Sequence, residues 1–281
     1  MATLYLISTP IGNLSDLSAR AGEVLGGVSR VLAEDTRRSS ILLKHLGIDT
    51  PLVSLHAHNE ASRVASVLDW LDEGEDLALV SDAGTPLISD PGHRMVEAVV
   101  EAGHTLVPIP GPSAVLTALL GSTLPADRFT FLGFCPRSGR DREAFLERVA
   151  GAEETVLLFE SPERLVALLG DVADVCGEGR RVAVAREMTK IHEEFFRGTA
   201  EEARAHYREH RAKGEVSVVV EAAPLSDRPD EVDEAAAQAL GRALLESGHK
   251  PSAAARELAR RLRIPRNAAY RVVQSLSRKD E

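Results

Sequence analysis

Leu77-Ala78-Leu79-Val80-Ser81-Asp82-Ala83-Gly84-Thr85-Pro86-Leu87-Ile88-Ser89-Asp90-Pro91-Gly92 decides how this chain folds. Four apolar residues, the length of a short strand, run into a stretch dominated by Gly, Pro, Ser, Thr and Asp. A helical pattern, Met95–Ala102, follows. Strand, polar loop and helix in that order are the unit of a parallel α/β sheet. The unit recurs on both sides: Leu4–Ile7, Val31–Ala33, Leu52–Leu55 and Leu106–Ile109 read as strands, with Leu17–Val28 and Arg63–Leu71 as helices between them. In such a sheet the loops leaving the strands gather at one edge, and ligands sit there.

Those loops are unusual in composition. They read Ser8-Thr9-Pro10-Ile11-Gly12-Asn13-Leu14, Glu34-Asp35-Thr36-Arg37, His56-Ala57-His58-Asn59-Glu60, Ser81 to Gly92, and Pro110-Gly111-Pro112-Ser113-Ala114. Small and turn-forming residues let backbone groups approach a ligand closely. One such loop is an ordinary turn; five on one edge make a site. Past Pro110-Gly111-Pro112 the pattern changes. Phe129–Leu132, Val156–Phe159, Val182–Ala185 and Val216–Val220 read as strands at longer intervals, a second α/β layer system. Residues 1–110 and 111–223 are thus expected as two lobes hinged at Pro110–Pro112, and residues 224–281 as a linker and helical tail. The linker is Pro224–Pro229, and the helices are Val232–Ser247, Ser252–Leu262 and Arg266–Ser277. Ser252 reads as an N-cap, and Ile264-Pro265 as a tight turn between two short helices, a helix-turn-helix pattern.

Composition removes whole classes. The chain has 281 residues, 44% hydrophobic and 27% charged, which excludes disordered, collagen-like and coiled-coil chains. No apolar run approaches the ~20 residues of a membrane span. No basic n-region precedes the first apolar stretch, so a signal peptide is not expected. Cys135 and Cys176 match no metal or redox spacing, so the expected compartment is the cytoplasm. There is no phosphate-binding G-x-x-x-x-G-K-[ST], no G-x-G-x-x-G after the first strand, no zincin H-E-x-x-H and no G-x-S-x-G elbow. His56 and His58 alternate as in a strand, but no third ligand at metal spacing accompanies them, so no metal site is expected.

Net charge is −10, unevenly spread. Nine basic residues between His249 and Lys279, among them Arg260, Arg261, Arg263, Arg266 and Arg271, face the single Glu257. A basic tail on an acidic body suits a polyanion such as RNA, although a basic face that meets only solvent would read the same.

Taken together, the loops resemble those of the tetrapyrrole methylase family, S-adenosylmethionine-dependent methyltransferases. Within it the likeness is to the branch that methylates a cytidine 2′-oxygen in 16S ribosomal RNA. The motifs are Thr9–Leu14, Ala33–Arg37, His58–Glu60, Leu79–Gly92 and Pro110–Ala114, with Phe159–Arg164 and Ala185–Lys190 in the second lobe. The run around Asp82 is the most specific. The resemblance implies two α/β lobes with the cofactor cleft between them, plus a helical tail. It also implies S-adenosylmethionine as cofactor, 16S rRNA within the small ribosomal subunit as partner, a homodimer, and no membrane. By motif, Pro10, Ile11 and Gly12 would form the floor of the cofactor site. Asp82, Gly84 and Thr85 would meet the methionine end, with Ser113 and Ala114 beside them. Phe159, Met188 and Val216 would serve the adenine side. Asp82 also suits the cofactor's cationic centres, although by itself it could equally cap a turn before Gly84.

Methyl transfer to a ribose hydroxyl needs positioning and somewhere for the proton to go. Candidates at the strand ends are Asp35, His58, Glu60 and Glu187, with Lys190 and Arg37 as phosphate or ribose contacts. Glu34–Arg37 could equally be a capped helix start. Relatives acting on porphyrin or corrin precursors, or on a protein histidine derivative, share the cofactor loops; the basic tail favours RNA. A non-catalytic RNA-binding relative is the remaining alternative.

Overall fold

The structure is a computed structural model that describes residues 2–224, 234–249, 251–262 and 266–277. They form two compact units: Met1–Val149 with Glu154–Glu221, and Ala150–Glu153 with Ala222–Glu281.

The first unit holds both expected sheets. One contains β1 (Thr3–Ile7), β2 (Arg30–Ala33), β3 (Leu52–Ser54), β4 (Leu77–Val80) and β5 (Thr105–Ile109), all parallel, in the order β3-β2-β4-β1-β5. Helices α1 (Ala19–Gly27) and α2 (Thr36–Leu46) cover one face, on Ile7, Val31, Ala33, Ala78 and Val80. Helices α3 (Glu60–Asp72) and α4 (His93–Glu101) cover the other, on Leu4, Leu32, Leu77 and Leu79. Burial on both faces is why these strands are runs of Val, Leu and Ile rather than alternating patterns. Strands β1 and β4 are neighbours, yet the chain leaves β1 toward β2 and β4 toward β5, in opposite directions. A crevice opens at such a switch point.

Residues 110–113 then lead, without helix or strand, into α5 (Ala114–Ser122). The second sheet contains β6 (Phe129–Phe134), β7 (Thr155–Glu160), β8 (Arg181–Arg186), β9 (Glu194–Thr199) and β10 (Val216–Val220), in the order β6-β7-β10-β8-β9. Only β6 and β7 are parallel. Strand β9 is absent from the sequence reading: an edge strand reading Glu-Phe-Phe-Arg-Gly-Thr lacks a buried apolar run. Leu157, Ala183, Ala185 and Val219 pack against α5 through Val115, Ala118 and Leu119. Helices α6 (Gly139–Ala150), α7 (Leu165–Cys176) and α8 (Ala200–Glu209) complete the layers.

In the second unit, α9 (Glu234–Glu246), α10 (Pro251–Leu262) and α11 (Arg266–Ser277) close a small core of Leu244, Ala254, Leu258, Ala269 and Val273. Helix α10 begins at Pro251, so Ser252 lies inside it rather than before it. Proline's fixed φ suits the first helical position. The linker beyond Pro224, the Ile264-Pro265 turn, Arg263 and the side chains of Arg260 and Arg266 lie outside the described residues. Arg256, Arg261 and Arg271 are exposed. Among the described residues no helix is long and apolar enough to cross a membrane.

Candidate active site

The loops after β1, β4 and β5 are stapled together at the switch point. Thr9 and Gly84 exchange both backbone hydrogen bonds at 2.9 Å, and the Thr9 hydroxyl donates to the Ser81 carbonyl at 3.0 Å. The Thr85 hydroxyl donates to Pro112 O at 3.1 Å. Gly84 holds φ +84°, and a Cβ there would lie 3.2 Å from the Ile11 side chain, so glycine alone fits this crossing. Strain concentrates in the same loop: Leu87 and Ser89 hold φ near 70°, which costs a non-glycine residue about 1–3 kcal/mol.

Above these loops a cleft of about 380 Å³ opens toward the second sheet. That is within the size range of small-molecule sites. Its first-sheet wall is Ile11, Ala83–Thr85, Ile88–Asp90 and the start of α5, Ser113–Val115. Its second-sheet wall is Phe134, Phe159–Pro162, Met188 and Gly214–Ser217. A bulge at Gly133, φ +69°, carries Phe134 out to the mouth, with its ring 5.6 Å from that of Phe159. Met188 is carried between two more left-handed residues, Glu187 (φ 49°) and Thr189 (φ 65°). Gly12 closes the gap between the sheets: a Cβ there would collide with Lys190 and lie 3.0 Å from Met188 O.

Of the cofactor residues expected from sequence, the structure places Ile11, Gly84, Thr85, Ser113, Ala114, Phe159, Met188 and Val216 in the lining. Pro10, Gly12 and Asp82 stand outside it. Asp82 turns to the neighbouring strand end, where Oδ1 accepts the Asp35 N–H at 2.9 Å and Oδ2 lies 3.8 Å from Arg38 Nε. The candidates for proton transfer also stand outside the lining. Asp35 caps α2 and accepts from Arg37 N and Nε, both at 2.9 Å; this pairing holds its carboxyl down to about 2. Glu60 is buried, its Oε1 accepting the Met95 N–H at the start of α4 (3.1 Å). His58 is exposed in a turn, so the strand-like alternation of His56 and His58 is corrected. Strand β3 ends at Ser54 because Asn59 bonds the His56 N–H (2.8 Å) and the Ser54 carbonyl (3.1 Å). Lys190 Nζ bonds Glu187 Oε1 at 2.9 Å and faces Glu215 Oε2 at 3.3 Å, and its hydrogen bond lowers the Glu187 carboxyl. Burial pulls Lys190 down, but the two carboxylates outweigh it and its net shift is upward. Among the described residues no group of three His, Cys, Asp or Glu could hold a metal ion.

Three ionisable residues line the cleft, all acidic: Asp90, Glu160 and Glu215. Glu160 is fully buried, ion-paired to Arg164, and accepts the Ser161 N–H at 2.7 Å. Asp90 is raised by burial and by Asp82, against the pull of the Ser81 hydroxyl. Glu34, at the end of β2, is raised by desolvation and then by Asp82 and Asp90. Sequence reasoning quoted Asp90 inside its most specific motif but gave the chemistry to Asp82. Glu160–Pro162 also lay inside a quoted motif, whereas Phe134 and Gly214 carried no signal.

A two-lobed α/β shell with a ligand cleft where its sheets meet defines the class, and the sequence signature of the tetrapyrrole (corrin/porphyrin) methylases matches residues 3–204. The chain belongs to that family. Among its relatives is a protein of Synechocystis sp. named ribosomal RNA small subunit methyltransferase I. It is 44% identical over 272 residues, 97% of each chain. A protein of the same name from Micromonospora olivasterospora is 45% identical over 97% of this chain and 86% of its own length. The namesake from Thermotoga maritima is 43% identical over 220 residues, 78% of this chain and 98% of that one. Among solved structures, cobalt precorrin-4 methyltransferase, a cobalamin biosynthetic enzyme, superposes with a TM-score of 0.61 at 18% identity. It covers 78% of this chain and 94% of its own. That likeness concerns the fold.

Proposed function

We propose that this chain is an S-adenosylmethionine-dependent methyltransferase that modifies the 2′-oxygen of a cytidine ribose in 16S rRNA of the small ribosomal subunit. The observation that carries the reading is the cleft, in a chain that matches ribosomal RNA methyltransferases along almost its whole length.

The residues present fit the cofactor. S-adenosylmethionine supplies an electrophilic methyl group on a cationic sulfonium. A lining whose ionisable groups are all carboxylates favours such a cation. The first turn of α5 presents backbone N–H groups behind its Ser113 cap, a natural seat for the methionine carboxylate. Phe159, Met188 and Val216 offer apolar cover and strand-end backbone to a purine. Arg37 and Arg38 stand exposed at the start of α2 and suit phosphates flanking a target nucleotide; the basic tail adds further phosphate contacts. Helix α5 also exposes Leu116 and Leu120, one turn apart, which supports a homodimer through that face. The cytoplasm, where ribosomal subunits are made, is the matching compartment.

The test is incubation with methyl-labelled S-adenosylmethionine and small subunits from cells lacking this modification. RNase-sensitive label recovered as 2′-O-methylcytidine is the expected result. Label transferred instead to a corrin or porphyrin precursor would overturn the reading.

A further inference from the structure

We propose that Phe134 is the platform on which the base of the nucleotide being methylated stacks, with Arg137 and Arg140 taking the phosphates beside it. This rests on the RNA methyltransferase reading above and deepens it by naming where the acceptor strand docks. A ribose hydroxyl meets the methyl group productively only if its nucleotide is held still, so something must grip the base.

Phe134 is 54% exposed, the most of the chain's seven phenylalanines. No loose loop leaves it there. Strand β6 bulges at Gly133, whose positive φ suits glycine, and the bulge turns the next side chain out to the cleft mouth. The two carbonyls that follow are tied down. Arg164 Nη1 donates to Cys135 O at 3.1 Å and Arg142 Nη1 to Pro136 O at 2.7 Å. Those arginines are themselves fixed, Arg142 by Asp171 and Arg164 by Glu160. Phe159 supports the ring from one side, the two planes inclined at 61°. In the opposite wall Ile88, 43% exposed, is the other large apolar side chain of the lining that stays open to solvent. Apolar surface held rigidly in water beside a ligand cleft marks a docking site, and an aromatic ring suits a flat partner.

Charge says what that partner is. Arg137 and Arg140, three and six residues beyond Phe134, are exposed and make no ion pair among the described residues, unlike Arg142 and Arg164. Asp141 and Glu143 follow them, so the cations here are a pair and not a basic surface. The methyl donor carries no phosphate for them to meet; an RNA strand does. A ring for the base with cations for the backbone is the combination that holds single-stranded RNA.

Phe134→Ala, Phe134→Leu and Phe134→Tyr separate stacking from apolar cover. On small subunits from cells lacking the modification, kcat/KM should fall about 5- to 150-fold for Ala and for Leu, carried by KM. That range corresponds to the ~1–3 kcal/mol of one stacked base. Phe134→Tyr, which keeps the ring, should regain most of the loss. Calorimetry on the full chain should find Phe134→Ala within 3-fold of the original protein in affinity for S-adenosylmethionine. Arg137→Gln with Arg140→Gln should raise KM for subunits, most at moderate salt, again with donor affinity held. Phe134→Leu as active as Phe134→Tyr overturns the platform. So does a loss confined to donor affinity, which would make the ring a cover for the methyl donor. A change of mass by light scattering in Phe134→Ala overturns it too, by making the ring a contact between copies of the chain. If the original protein itself places no label on small subunits, the methyltransferase reading has failed, and the platform falls with it.

Discussion

On its first-sheet side the cleft is walled by a loop, Ser81–Gly92, in which Gly84, Leu87, Ser89 and Gly92 all hold positive φ and Asp90 makes no ion pair among the described residues. On its second-sheet side it is walled mainly by the ends of β7 and β10, where Glu160 and Glu215 are both matched by a base. The first wall stores strain and keeps one charge unspent; the second is regular, apolar and neutralised. Strained backbone and an unpaired carboxylate are costs that a fold keeps where chemistry is done, whereas paired acids on strand ends serve shape and affinity. Substitutions in either wall should therefore act on binding of the donor, and those in the strand-end wall also on stability.

Four substitutions probe that division, from the largest effect to the smallest. Met188 is buried between the cleft and the core under α5, so Met188→Ala should cost about 2–5 kcal/mol of stability. It should also raise KM for the methyl donor while kcat holds, as thermal melts and steady-state kinetics will show. Gly12→Val drives a side chain into Lys190 and Met188 O. Overpacking of this kind should cost about 1–3 kcal/mol of stability, read from thermal melts. Glu215→Gln removes a carboxylate from the cleft lining, but one that is largely exposed and paired. Its kcat should stay within about 5-fold, because such a pair contributes about 1 kcal/mol at most. A loss of 10-fold or more would break the contrast between the walls.

The smallest effect concerns α2. The Asp35 carboxyl is held near 2 by Arg37, below its ordinary value. A carboxylate depressed by folding stabilises above its unfolded pKa and loses that contribution as pH falls through the folded value. Asp35→Ala should therefore lower the melting temperature slightly at neutral pH, with the difference shrinking from about pH 4 and gone near pH 2. An equal deficit at every pH would assign the effect to lost packing.

How much of this was legible in the sequence follows from what each residue must satisfy locally. Strands buried on both faces, such as Leu77–Val80 and, but for Ser217, Val216–Val220, are apolar runs and read correctly to the residue. The edge strand β9 is not, and it was missed. The loops were recognisable because turn chemistry is carried by residue type: Gly84 and Gly92 sit where φ must be positive. What sequence could not resolve was which of two aspartates eight residues apart lines the cleft. That depends on a partner from a distant strand, the Asp35 N–H taken by Asp82. His56 and His58 misled because alternation over three residues cannot distinguish a strand from a turn closed by Asn59.

The Thermotoga maritima protein shares its name with the others, yet 98% of it is accounted for by 220 residues, so it is shorter than this chain by about a fifth. Replacing Arg256, Arg261 and Arg271 by Gln should accordingly weaken docking on small subunits, most visibly at moderate salt, and leave donor affinity unchanged.

Binding of the methyl donor tests the central claim most directly, since everything above requires it to sit between the two walls. Titration of the full chain with S-adenosylmethionine should show one site per chain. Gly84→Val, with its circular dichroism preserved, should lose at least about 10-fold in affinity, because its side chain strains the bridge to Thr9 and presses on Ile11. A folded Gly84→Val protein that binds the donor as tightly as the original would place the cofactor elsewhere and contradict the account.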